Sequence, residues 1–225
     1  MTTPPDLAAL ASDITAHIGY VDVVAEGWGS PLPWSCQQIL EAQEAGDDPT
    51  AAWRDEVGRA QERRYHCAAP PQVGAAFVFG WYLQVVAVPA AYAAVLRDWI
   101  PDVSPAALRF DLDDLERYPV AESLGGDSIK RVTHPQMRLI EARKAYEAHA
   151  MRFAESYSPG VKMSSKQRFG LVRDTWAATL DSARTSVLGE PSRLGLRESC
   201  CFLFALPGAI TCARCPRNRK NALSA

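Results

Sequence analysis

The sequence predicts a mainly α-helical single domain with a minor β element and an appended cysteine segment. Three observations carry that expectation. Apolar residues recur at spacings of three and four over most of the chain. Helix-start signals stand where those periodic runs begin. Four of the six cysteines are crowded into residues 200 to 215, behind a turn-rich joint. With 225 residues, 48% of them hydrophobic, the chain can bury one sizeable core and has no need of disulfide staples.

In chain order, Leu7, Leu10, Ile14 and Ile18 follow Pro4 and Pro5 and read as a first amphipathic helix. The glycines and prolines of EGWGSPLPW read as a loop, and residues 49 to 65 as a second helix. Residues 73 to 96, VGAAFVFGWYLQVVAVPAAYAAVL, carry no charge and are long enough to cross a bilayer. Gln84, Pro89, two glycines and many alanines weaken that reading. Orientation weakens it further, because Arg59, Arg63 and Arg64 against Arg97 would export the C-terminal cysteines. The expectation is a buried core helix, kinked or broken at Pro89, with no stable membrane insertion.

Residues 106 to 129, with ALRFDLDDL alternating in part, suggest short strands or irregular chain. Thr133 is a plausible cap with Pro135 just inside, opening a helix whose face is Leu139, Ala142, Tyr146, His149 and Phe153 and which ends near Ser158-Pro159-Gly160. Ser164 and Gln167 form a capping-box pattern ahead of the stripe Phe169, Val172, Trp176 and Leu180. The expected division is a helical body over 1–190 and a cysteine segment over 191–225.

The start of the chain lacks a cationic n-region and an unbroken apolar run, so a cytoplasmic, reducing location is expected. There, clustered cysteines serve metals or redox chemistry more often than structural disulfides. Cys212 and Cys215 have the spacing of a chelating turn. Cys200 and Cys201 are adjacent, so their side chains diverge and do not form the usual two-thiolate knuckle around one zinc. Two bridged irons spread their ligand positions more widely, which makes a 2Fe-2S cluster plausible. A zinc site, a strained vicinal disulfide and unpaired thiols stay open on spacing alone. Cys36 and Cys67 read as ordinary small buried residues, and His149 as a core histidine. The histidines show no ligand spacing.

This C-C-x10-C-x2-C arrangement resembles the C-terminal motif of the FhuF-like ferric-siderophore reductases. Arg197 and Ser199 before the vicinal pair, Phe204 after it and Leu206-Pro207 in the middle add to the likeness. The resemblance implies a 2Fe-2S cluster held by Cys200, Cys201, Cys212 and Cys215, and one-electron reduction of siderophore-bound ferric iron. The chain departs from the family at Ala213 and Arg214, where a glycine and an acidic residue are common. A cation there, with Arg197 nearby, is expected to raise the cluster's potential.

No G-x-G-x-x-G and no Walker-type loop is present, so the electron is expected from an external donor such as a ferredoxin or a flavin reductase. Residues 191 to 225 carry six Lys or Arg against one Glu, while the rest of the chain is net minus seven. That basic rim suits an acidic donor or an anionic chelate, or is a solvated tail. A net charge of minus two without a recognition helix argues against nucleic acid. The competing expectation is a non-catalytic iron-sulfur or zinc module acting as a redox sensor.

Overall fold

The computed structural model describes residues 5–26, 31–126 and 128–218. Six helices dominate it: α1 (Pro5–Ile18), α2 (Cys36–Glu44), α3 (Ala51–Tyr65), α4 (Pro71–Leu96), α5 (Pro135–Ser156) and α6 (Ser165–Leu188). The strands are β1 (Asp22–Ala25), β2 (Trp34–Ser35), β3 (Trp99–Pro101), β4 (Leu108–Leu112), β5 (Pro119–Leu124) and β6 (Ile129–Arg131). The mainly α expectation with a minor β element is met.

The charge-free segment is the axis of the molecule. α4 packs against α1, α3, α5 and α6, and 18 of its 26 residues are buried. A helix apolar on every face has no solvent side, and each fully buried Val, Leu or Phe contributes roughly 1.5 to 3 kcal/mol, so it takes the centre. Its length and composition would allow it to cross a membrane, but 78% of its most apolar window is buried within the fold. It runs unbroken through Pro89 rather than ending there. The lost amide at residue 89 leaves one helical bond unmade without stopping the helix.

Polar groups around α4 are matched to backbone. Arg138 of α5 is buried and donates to Ala94 O at 2.9 Å, satisfying a carbonyl at the α4 C-terminus. Tyr157 donates to Ala75 O at 2.9 Å, and Tyr146 to Val172 O at 2.8 Å. Gly74 lets α3 approach closely, since a Cβ there would lie 2.7 Å from Arg54 O.

Four strands form a sheet in the order β1-β5-β4-β2, with β1 parallel to β5 and the remaining pairs antiparallel. β3 and β6 form a separate antiparallel pair. The expected strands within 106–129 are β4 and β5. The loop reading around residue 34 is corrected, because Trp34–Ser35 pairs with β4 and Ser35 then caps α2 by accepting from Gln38 N; residues 27–30 of that loop lie outside the described residues. α5 is capped at His134 rather than Thr133, with Pro135 in the first turn, and ends at Ser156. Ser164 caps α6 by accepting from Gln167 N at 3.2 Å, as the pattern predicts.

Candidate cysteine site

α6 ends at Gly189, which takes the left-handed conformation (φ 68°) that glycine adopts without strain. The chain then turns back along α6 in little regular structure. It is held there by one polar stripe, Gln167, Gly170, Asp174 and Asp181, whose spacings of three, four and seven put it on one helical face. Asp181 accepts from Ser192 Oγ at 2.7 Å and Arg193 N at 2.9 Å. Asp174 accepts from Glu198 N and Ser199 N at 2.9 and 2.8 Å. Ser199 Oγ donates to Gln167 O at 3.0 Å, and Gln167 Nε2 to Cys200 O at 3.0 Å. The Gln167 side chain thus serves the cysteine segment. Gly170 makes room for this, since a Cβ there would overlap Ser199 Oγ.

The next residues are the cysteines. Arg197 Nη2 donates to Cys201 Sγ at 3.1 Å and to Cys212 Sγ at 2.9 Å, so one guanidinium joins two of the four thiols. Phe202, at φ 61°, turns its amide onto Cys200 Sγ at 3.3 Å. Cys215 is buried and closes a turn, its amide donating to Cys212 O at 2.9 Å. The two ends of the segment are clipped by Arg197 N donating to Arg214 O at 2.8 Å and Arg214 Nε donating to Gly195 O at 3.0 Å. Arg214 therefore spends its Nε on backbone, and the contact with sulfur belongs to Arg197. Arg217 stacks on Phe204 at 3.9 Å, while Arg219 and Lys220 of the basic rim lie outside the described residues.

All six cysteines are free, so Cys200 and Cys201 form no vicinal disulfide. Burial raises the Cys200 thiol, the Phe202 amide opposes it, and the charges of Cys201 and Cys215 add to the rise. Burial also raises Cys212, Arg197 pulls it down, and Cys201 and Cys215 push it up again. The Cys200 and Cys212 thiols are thus both held back from the thiolate form by burial and by their neighbouring sulfurs. Burial opposes the Arg197 charge, but the Cys201 and Cys212 sulfurs hold it above the ordinary guanidinium value.

Among the described residues no group of three or more His, Cys, Asp or Glu side chains is already gathered around a common centre. The donor chemistry nevertheless fits an iron-sulfur cluster: four sulfurs, no imidazole or carboxylate among them, and N–H donors on three of those sulfurs. Cys36 is buried as expected, its thiol pushed up to about 12 mainly by burial. Cys67 is only partly buried, a correction to the expectation. His149 is buried in the core, and burial lowers it to about 4.

A cavity of about 440 Å³ lies between α4, α6 and the cysteine segment. Phe77, Trp81 and Gln84 of α4 face Arg197, Cys201 and Cys212 across it. Phe77 and Trp81 meet edge to face with centroids 5.2 Å apart. Sequence reasoning missed both the cavity wall and the α6 stripe. The signals were a glycine inside a helix at 170 and two aspartates seven residues apart at 174 and 181. Compared with known proteins, the chain matches no family model and no curated sequence.

Proposed function

We propose that this chain is a one-electron reductase of siderophore-bound ferric iron, using an iron-sulfur centre held by Cys200, Cys201, Cys212 and Cys215. The observation that carries this reading is the 440 Å³ cavity, walled on one side by Cys201 and Cys212 and on the other by Phe77 and Trp81. A 2Fe-2S cluster bound to the four sulfurs would supply single electrons.

The surrounding residues bind and tune. Arg197 offsets the negative charge of two sulfurs and lowers the field a neighbouring anionic chelate meets. Phe77 and Trp81 offer apolar faces to the organic frame of a chelate, and Gln84 an amide to its carbonyl or N–H groups. Arg214 at the cavity wall favours an anionic substrate. Hard anionic oxygens hold ferric iron much better than ferrous iron, so one added electron loosens the complex and the freed oxygens take protons from water. The electron comes from a separate protein, a ferredoxin or flavin reductase, drawn by the basic rim.

The test begins with colour. Anaerobically prepared protein should be red-brown, and serine at any of the four cysteines should bleach it, whereas Cys36→Ser and Cys67→Ser should not. Reduced protein mixed with a ferric hydroxamate chelate should lose its reduced spectrum as one ferrous ion per electron reaches a ferrous-specific chelator. A colourless, zinc-loaded protein would replace the proposal with the sensor reading. A red-brown protein that leaves ferric chelates untouched would refute the substrate.

A further inference from the structure

A second cavity, of about 320 Å³, lies on the sheet side of α4; it shares Trp81 and Gln84 with the first, but no cysteine lines it. Glu122 stands in its wall. This residue sits in the centre of β5, flanked in register by Val23 of β1 and Phe110 of β4, a position where an apolar side chain would be expected. It is 1% exposed, and its Oε2 has no hydrogen-bond partner among the described residues. A buried carboxyl oxygen left unpaired is costly, and such groups mark places where a partner arrives.

Three aromatic rings surround the approach. Tyr20, Trp81 and Tyr118 line the same cavity, with Gln84 beside them. Trp81 and Tyr118 have centroids 6.4 Å apart at 57°, so they present faces rather than a closed stack. Tyr20, half exposed, stands at the mouth. We infer that this cavity binds a primary alkylammonium group, its N–H donors on Glu122 Oε2 and the Gln84 carbonyl and its charge against the rings of Tyr20, Trp81 and Tyr118. A neutral O–H donor would satisfy the oxygen but gain nothing from three π faces. A hard metal ion would need several more oxygen ligands than one carboxylate and one amide. A quaternary ammonium would leave Oε2 unpaired.

Burial pushes the Glu122 carboxyl well above the usual range, so the unliganded site holds a proton that a cation displaces to solvent. The titratable groups nearest Glu122 are Tyr20, Tyr118 and Cys36, with Arg109 near Cys36 on β4; α4 adds Tyr82, whose hydroxyl contacts Cys36 O, and Tyr92, close to Tyr20, beside the neutral Trp81, Gln84 and Val88. Affinity therefore rises with pH through the raised Glu122 range, while the amine stays protonated below its own value near 10.

The experiment is calorimetric titration of the full chain with n-butylammonium in two buffers of different ionisation enthalpy. The expected result is binding tighter than about 10 mM, with net proton release at pH values within the raised Glu122 range. Glu122→Gln should weaken it at least about tenfold and remove the proton release. Tyr118→Leu, at a partly exposed position, should weaken it several-fold with proton release retained. n-Butanol, the neutral isostere, should not bind. Equal binding of butanol and butylammonium, unchanged affinity in Glu122→Gln, or no wild-type binding in that range would each overturn the inference. Trp81 and Gln84 line both cavities, but the substituted residues Glu122 and Tyr118 line this one alone and no readout uses iron or the cysteines, so failure here and failure of the proposed reductase are told apart.

Discussion

At Arg197 one terminal nitrogen reaches two sulfurs, and removing it takes a positive charge away from both. At an effective dielectric of about 20, a unit charge at 5 to 6 Å is worth about 3 kcal/mol, roughly halved by solvent at this half-buried site. Arg197→Gln should therefore lower the potential of the reconstituted centre by roughly 50 to 100 mV, read by protein-film voltammetry. Arg214→Asp should shift it in the same direction by less, since Arg214 is bonded to Gly195 O. A larger shift from Arg214 would mean that the electrostatics of the two arginines are exchanged. His149 makes a second residue-scale prediction. Its Nδ1 lies 2.8 Å from the Val103 carbonyl, which can only accept, so Nδ1 carries the proton and Nε2 accepts from Tyr82 OH at 2.8 Å. Folded, it titrates at about 4; unfolded, near 6.5. Between those values the unfolded chain binds the extra proton, so this contribution is complete above pH 6.5 and is lost as pH falls towards 4. Its size is on the order of 3 kcal/mol. Glu122, raised rather than lowered, works in the opposite sense from its ordinary 4.5 upward. The measurement is therefore the difference in unfolding free energy between wild type and His149→Gln across pH 4 to 6.5; a constant difference would show that His149 does not titrate there.

α6 shows what a helix interior can conceal. Gly→Ala inside an exposed helix normally stabilises by about 0.5 to 1 kcal/mol. Gly58 of α3, where an added Cβ meets nothing within 4 Å, should follow that rule. Gly170 should break it, because its Cβ would collide with Ser199 and push the cysteine segment off Asp174. Gly170→Ala should speed cleavage between residues 190 and 218 in limited proteolysis, and adding Ser199→Ala should recover part of the loss. Unchanged cleavage in Gly170→Ala would mean that the segment is not held by this face. The apolar stripe of α6 and its Ser164 cap were legible because they are local patterns. The opposite stripe was not, since Gln167, Asp174 and Asp181 look like an ordinary solvated face until the residues that cover them are in place. β1 illustrates the same limit: four residues are too few to show alternation, and its partner β5 is almost a hundred residues away.

At the scale of the molecule, the central hydrophobic cluster and the side chains packed on it end at Val187 among the described residues, with none from the described part of the cysteine segment. A chain ending at residue 190 should therefore keep its far-UV circular dichroism and cooperative melting while losing all visible absorption. Loss of cooperative unfolding in that truncation would show that the body needs its C-terminal segment. The division expected at 190 rests on the turn-rich joint and the abrupt change in cysteine content, and the truncation is its test. That the segment folds back onto α4 and α6, making a cavity with Phe77 and Trp81, was not readable, because it depends on contacts about a hundred residues apart. The backbone clip between Arg197 and Arg214 also bears on how ligands are gathered. Cys200, Cys201 and Cys212 all lie inside the loop it closes, and Cys215 is the next residue beyond it. Bringing together the ends of a free loop of about 15 residues costs about 3 kcal/mol of chain entropy. With that loss already met by hydrogen bonds to α6 and across the clip, a metal bound as proposed would encounter four sulfurs at high local concentration, and its last ligand would close without a search through an open chain.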